Sequence, residues 1–103
     1  MAKIFKKNSS GTKSSIEWTF LSNYAHVLIC LHKNPDILLR EVAIQVGITE
    51  RAVQAIVRNL ADSNILEKVK SGRRNRYTIN RDQKLRHPLE AHHSINELLQ
   101  LAK

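Results

Sequence analysis

Two runs of side chains hold most of the chain's polar chemistry. In the first, SGRRNRY at residues 71–77, Arg73, Arg74 and Arg76 crowd around Asn75 directly behind Gly72. Guanidinium groups packed this densely repel one another unless an anion lies close, and each presents a planar fork of donors suited to phosphate or carboxylate. The second run, TERAVQAIVRN at residues 49–59, leaves Thr49, Glu50, Arg51, Gln54, Ala55, Arg58 and Asn59 over once its apolar residues are assigned to the inner face of a helix. Among these, arginine and glutamine can each make two hydrogen bonds to one flat partner.

Other chemistries find less support. There is no Ser-His-Asp spacing, no glycine-rich phosphate loop and no pair of carboxylates in a plausible cleft, so neither an enzyme nor a cofactor is expected. His87, His92 and His93 fall close together around Glu90, and neutral imidazole is a common zinc or nickel ligand. Their spacing fits no diagnostic motif, so no metal site is expected. Cys30 is the single cysteine, which excludes an internal disulfide and a thiolate zinc site. Central in an apolar segment, it is expected to behave as a small hydrophobe.

At 103 residues the chain has room for one small domain. No apolar run reaches the 18 residues that suggest a membrane span, and MAKIFKKN lacks the apolar core of a secretory signal, so a cytoplasmic protein is expected. The formal net charge is +8 and is unevenly placed: residues 1–15 carry +4 and residues 66–86 carry +6, while the segments 16–65 and 87–103 are each at −1. Such concentration is the footprint of a polyanion partner.

These side chains need elements to position them. Residues 1–15 are too poor in apolar residues to pack and are expected to be a disordered basic arm. From Trp18 to Lys33 apolar residues fall on more than one helical face, predicting a helix buried on both sides and ended by Asn34-Pro35-Asp36. Ile37, Leu38 and Leu39 suggest a minor strand. In REVAIQVGITERAVQAIVRNLADSNIL, Val42, Ala43 and Val46 form one amphipathic face, and Ala52, Val53, Ile56, Val57 and Leu60 form another. Gly47 between them supplies the positive φ of a sharp turn, and Thr49 is placed to cap the second helix. A small residue at Ala43 with apolar Val53 and Ile56 at fixed offsets from the glycine makes this a helix-turn-helix. Beyond Asn64 the periodicity changes, and Lys68, Lys70, SGRRNR and YTI predict two strands joined at a basic tip. From Pro88 onward, Ala91, Ile95, Leu98, Leu99 and Ala102 line one face of a closing helix, which must pack on the first helix, on a second chain, or on both.

Helix, short strand, helix-turn-helix, basic hairpin and closing helix is the order of a winged helix-turn-helix domain. LREVAIQVGITERAVQAIVRNL followed by ILEKVKSGRRNRYTI resembles the small bacterial and archaeal transcriptional regulators of the MarR and ArsR type. Asn64 stands where such regulators commonly place glycine, and asparagine tolerates the left-handed conformation needed there. The expected fold is α+β, mainly α: a basic arm at 1–15, a winged helix-turn-helix domain at 16–81 and a C-terminal helix for packing or dimerisation at 82–103.

The resemblance implies a DNA-binding transcriptional regulator, a homodimer on double-stranded DNA. Its recognition helix over 49–64 would enter the major groove, with the wing over 70–77 on the backbone or in the minor groove. Arginine reads guanine O6 and N7 and glutamine reads adenine N6 and N7, so Arg51 and Gln54 are the first choices for base contact and Arg58 for phosphate. Thr49, Glu50, Lys70, Arg73, Arg74, Asn75 and Arg76 complete the expected DNA-binding set. An alternative from another class is a winged helix serving as a protein-interaction module, its basic wing against an acidic partner. RNA binding ranks last, because no exposed aromatic platform for unstacked bases is evident.

Overall fold

The computed structural model describes residues 17–102, so the basic arm expected over 1–15 lies outside the described residues. Helix α1 (Asn23–Lys33) is followed by α2 (Leu39–Val46), α3 (Glu50–Asp62), β1 (Leu66–Ser71), β2 (Arg74–Ile79) and α4 (Ile95–Leu99), which runs into a 3-10 turn at Gln100–Ala102. The two strands form one antiparallel hairpin. The architecture is the expected α+β, mainly helical, winged helix-turn-helix.

Helix α1 starts five residues later than its apolar pattern predicts. The Thr19 hydroxyl donates to the Leu21 carbonyl, a local bond that competes with helix geometry, and Ser22 takes the N-cap position in extended conformation. Trp18 and Phe20 therefore sit outside the helix, in edge-to-face contact with each other and 69% and 91% exposed, so they do not extend its buried faces. Within the helix the expectation holds from Ala25 onward: Ala25, Val27, Leu28, Cys30 and Leu31 are buried, on adjoining faces. Its last turn carries Lys33, whose positive end suits the helix C-terminus.

No minor strand forms at Ile37–Leu39. Leu39 already opens α2, and Ile37 instead drops into the core, its N–H donating to Asn34 O at 3.0 Å. The backbone contact to the hairpin comes from just before this segment, where Pro35 O accepts from Tyr77 N at 3.2 Å.

The core is built where α1, α2 and α3 converge and the hairpin base and α4 close over them. Val27, Leu31, Val42, Val53 and Leu99 are the most completely buried side chains, joined by Ile37, Ile56, Leu60, Ile65, Leu66, Tyr77 and Ile95. Burying each large aliphatic side chain contributes about 1.5–3 kcal/mol relative to leaving it exposed.

The closing segment is less helical than its periodicity predicts. Residues 85–93 form successive turns, with Leu89 N donating to the His87 ring at 3.0 Å and His93 N donating to Glu90 O at 2.8 Å. Pro88 accordingly begins a turn rather than a helix. Leu89 and Ala91 are exposed there, so no apolar face rewards helix formation before Ile95. At Ser94 a capping box takes over: Glu97 N donates to the Ser94 hydroxyl at 3.3 Å, and Ser94 N donates to the Glu97 carboxylate at 2.7 Å. The short helix then turns Ile95 and Leu99 inward against α1, which covers those two residues of the predicted stripe within one chain. Trimming that contact tests its place in the core: Leu99→Ala should lower unfolding free energy by about 2–5 kcal/mol in denaturant titration, and a change under about 0.5 kcal/mol would show that α4 packs outside it.

The cap also makes stability depend on pH. The backbone N–H of Ser94, helped by His93 and Lys84, holds the Glu97 carboxyl below its ordinary value of 4.5. A carboxyl whose folded value is depressed stabilises the fold above its unfolded value and loses that contribution as pH falls through the folded one. Stability should therefore drop as pH is lowered below about 4.5. In Glu97→Gln the acid-side loss should be smaller in thermal melts between neutral pH and the acid range; an identical pH profile would contradict the assignment.

Candidate nucleic-acid interface

The helix-turn-helix geometry follows from three backbone positions. Gly47 closes α2 at φ 88°, and its N–H and that of Ile48 both donate to Ala43 O, at 2.8 and 3.1 Å. A Cβ there would meet no neighbour within 4 Å, so the turn needs glycine for its conformation rather than for space. Thr49 then caps α3, its hydroxyl accepting from Ala52 N at 3.0 Å. At the far end Asn64 adopts φ 64°, the left-handed geometry anticipated for it, and Ile65 N donates back to Leu60 O at 2.9 Å.

Between these stops α3 is sharply two-faced. Val53, Ile56, Val57 and Leu60 are buried, while Glu50, Arg51, Gln54, Ala55, Arg58 and Asn59 are all exposed. The outer face is thus polar and small, with no large apolar residue. Asn59, at its edge, is engaged elsewhere: its amide donates to the Tyr24 hydroxyl of α1 at 2.7 Å. Arg51, Gln54 and Arg58 make no side-chain hydrogen bond or ion pair among the described residues, which leaves their donors available to a ligand.

The hairpin runs alongside, with β1 packed against α3 and β2 on the side of α1. Its register pairs Leu66 with Ile79, Lys68 with Tyr77, Lys70 with Asn75 and Ser71 with Arg74. Two residues, Gly72 and Arg73, make the turn, and a positive φ of 64° at Gly72 alone fits a type II′ hairpin turn. Tyr77 and Leu66 anchor the base in the core, whereas every residue from Glu67 to Arg76 is exposed. Burial pushes the Tyr77 phenol above its ordinary range, against a smaller opposing pull from the Asn75 side chain.

The three wing arginines have different surroundings. Arg73, at the tip, makes no hydrogen bond among the described residues. Arg74 donates one nitrogen to the backbone carbonyl of Asp36 at 3.0 Å. Arg76 faces an anion of the protein's own, one guanidinium nitrogen lying 3.0 Å from both oxygens of the Asp36 carboxylate. Arg76 was expected to reach a nucleic-acid backbone like the other two. In the structure it pairs with the α1–α2 turn, through a half-exposed contact contributing about 0.2–1 kcal/mol. In the sequence Asp36 stands out only as part of a helix stop, and with the partners forty positions apart no local spacing reveals the pairing.

Elsewhere, His92 and His93 stack at 4.0 Å and His93 lies 3.2 Å from Glu97, yet among the described residues no cluster of three or more His, Cys, Asp or Glu is arranged to hold a metal ion. Burial pushes the Cys30 thiol up, Lys33 offsetting it only in part, and its sulfur donates to Gln45 Oε1 at 3.4 Å. A thiol so placed stays protonated and unreactive at neutral pH. Among the described residues no helix is long and apolar enough to cross a membrane.

The Thr49 cap sets where α3 begins and therefore how Glu50 and Arg51 are presented. Thr49→Ala should cost about 1 kcal/mol of stability, with Thr49→Ser close to the parent, in chemical denaturation. Equal stability of all three would mean the cap bond contributes nothing.

Comparison with known proteins agrees with this geometry. Residues 26–67 match the model of a family described as winged helix-turn-helix DNA-binding, a span from within α1 to the start of β1. No curated protein and no solved structure matches the chain. The fold is that of a winged helix-turn-helix, and the similarity of this stretch to a DNA-binding family supports a role as a DNA-binding regulator.

Proposed function

We propose that the protein is a transcriptional regulator of the general MarR or ArsR design that reads duplex DNA with the outer face of α3 and grips the backbone with its wing. The observation that carries this reading is the outer face itself: Arg51, Gln54 and Arg58, exposed and unpaired among the described residues, on a helix whose opposite face is locked in the core. Arg51 and Gln54 take base edges in the major groove, Thr49 and Glu50 lie at the entering end, and Arg58 meets phosphate. Lys70, Arg73, Arg74 and Asn75 meet the backbone or the adjacent minor groove.

A protein-interaction module would more often present large apolar side chains on that face, and α3 presents none. One winged helix alone has limited affinity, so two copies on two half-sites about one helical turn apart are proposed as the working form. Of the C-terminal stripe only Ile95 and Leu99 are buried within the chain, so its remaining residues stay available for a contact between copies.

Mutation separates the two kinds of contact. Arg73→Ala should weaken binding to all sequences alike and flatten the dependence of log K on log salt by about 0.9. Arg51→Ala or Gln54→Ala should relax preference at one base position at a cost of about 1–3 kcal/mol, with the salt dependence nearly unchanged. Fluorescence anisotropy on matched and mismatched duplexes at several salt concentrations measures both, and the two effects exchanged between the two sets would overturn the assignment.

A further inference from the structure

The α1–α2 turn and β2 are joined at three points. Tyr77 N donates to Pro35 O at 3.2 Å, Arg74 donates to Asp36 O at 3.0 Å, and Arg76 sits 3.0 Å from both Asp36 carboxylate oxygens. The turn is itself held, because Asp36 N donates to the Asn34 side chain at 3.2 Å and Ile37 N to the Asn34 carbonyl at 3.0 Å. All three contacts lie on the flank of the hairpin away from α3, since β1 is the strand packed against α3. Among the described residues this is the one ion pair between a wing arginine and a carboxylate.

We propose that Asp36 is the positioning residue of the wing: its carboxylate serves Arg76 as an internal counter-anion, fixing β2 against the α1–α2 turn and keeping Arg76 off a bound polyanion. The tip charges of Arg73 and Arg74 are then presented beside α3 from a hairpin biased to one orientation, and phosphate contact is confined to the tip. The DNA half of this inference rests on the function proposed above; the positioning half does not. Held in place, the wing contributes to one docked orientation. Released, it would add a further phosphate contact on any sequence and lower discrimination.

The test has one arm without DNA and one with it. In the free protein, amide hydrogen exchange at Tyr77 should be several-fold faster in Asp36→Asn than in the parent and return to the parent rate in Asp36→Glu, with circular dichroism confirming that each variant is folded. Exchange unchanged in Asp36→Asn would overturn the positioning role. On nonspecific duplex DNA, Asp36→Asn should steepen the salt dependence by about 0.9, one added phosphate, and narrow the gap between specific and nonspecific affinity. Arg76→Gln in the parent should leave the slope unchanged, and in Asp36→Asn should restore it. A parent slope that flattens in Arg76→Gln as it does in Arg73→Ala would make Arg76 a phosphate contact and overturn the proposal. Failure of the parent to bind DNA at all would fell the functional reading, while the exchange measurement would still decide whether Asp36 holds the wing.

Discussion

Everything the surface of this domain does depends on the burial of one stripe of α3. Val53, Ile56, Val57 and Leu60 are locked against α1 and α2, with Val53 wholly removed from solvent. A helix buried along one stripe has no rotational freedom left, so the same contacts that stabilise the core dictate that Arg51, Gln54 and Arg58 face outward together. Rotating α3 by one residue would place a charged side chain in the core and Val53 in water, and both changes are costly. The outward-facing set of α3 is therefore a by-product of hydrophobic packing.

The wing obeys a different logic. Its base is fixed by Leu66 and Tyr77 in the core, but from Glu67 to Arg76 the hairpin is exposed and apolar burial cannot hold it. An isolated two-stranded hairpin is marginal in water, so its orientation must come from polar contacts at the flank. Pro35 and Asp36 supply them on β2. Each such contact is weak, and the Arg76–Asp36 pair is half-exposed and open to salt screening. Rigid helix and lightly held wing together are what the proposed reading of bases by α3 and backbone by the wing would need.

The parts of this arrangement that local rules govern could be read directly from the residues. Gly47 at positive φ, Thr49 as a cap and Asn64 in the left-handed region each follow from what one residue type does to the backbone, and the structure shows all three. The apolar stripes of α2 and α3 were legible for the same reason, as was the hairpin about Gly72. Where the pattern misled, it did so at the ends of helices and at Ile37–Leu39, a short apolar run that enters α2 and forms no strand. Trp18 and Phe20 continue the spacing of α1, and Leu89 and Ala91 that of the closing helix, yet periodicity cannot tell whether a face will find something to cover it. Local bonds at Thr19 and His87 settled those segments as turns. The exposure of the candidate residues on α3 and the wing was legible as what remains once the core is filled. The partner of Arg76 was not, because it comes from the turn between two other helices.

The central claim is that the outer face of α3 reads sequence while the wing supplies charge. Selection from a pool of random duplex DNA, repeated at two salt concentrations and followed by sequencing, tests it most directly. The account predicts an enriched inverted repeat whose half-sites lie about one helical turn apart and persist at the higher salt. Salt-sensitive binding with no enriched sequence would contradict it, leaving a basic surface that grips phosphate and a face of α3 that reads nothing.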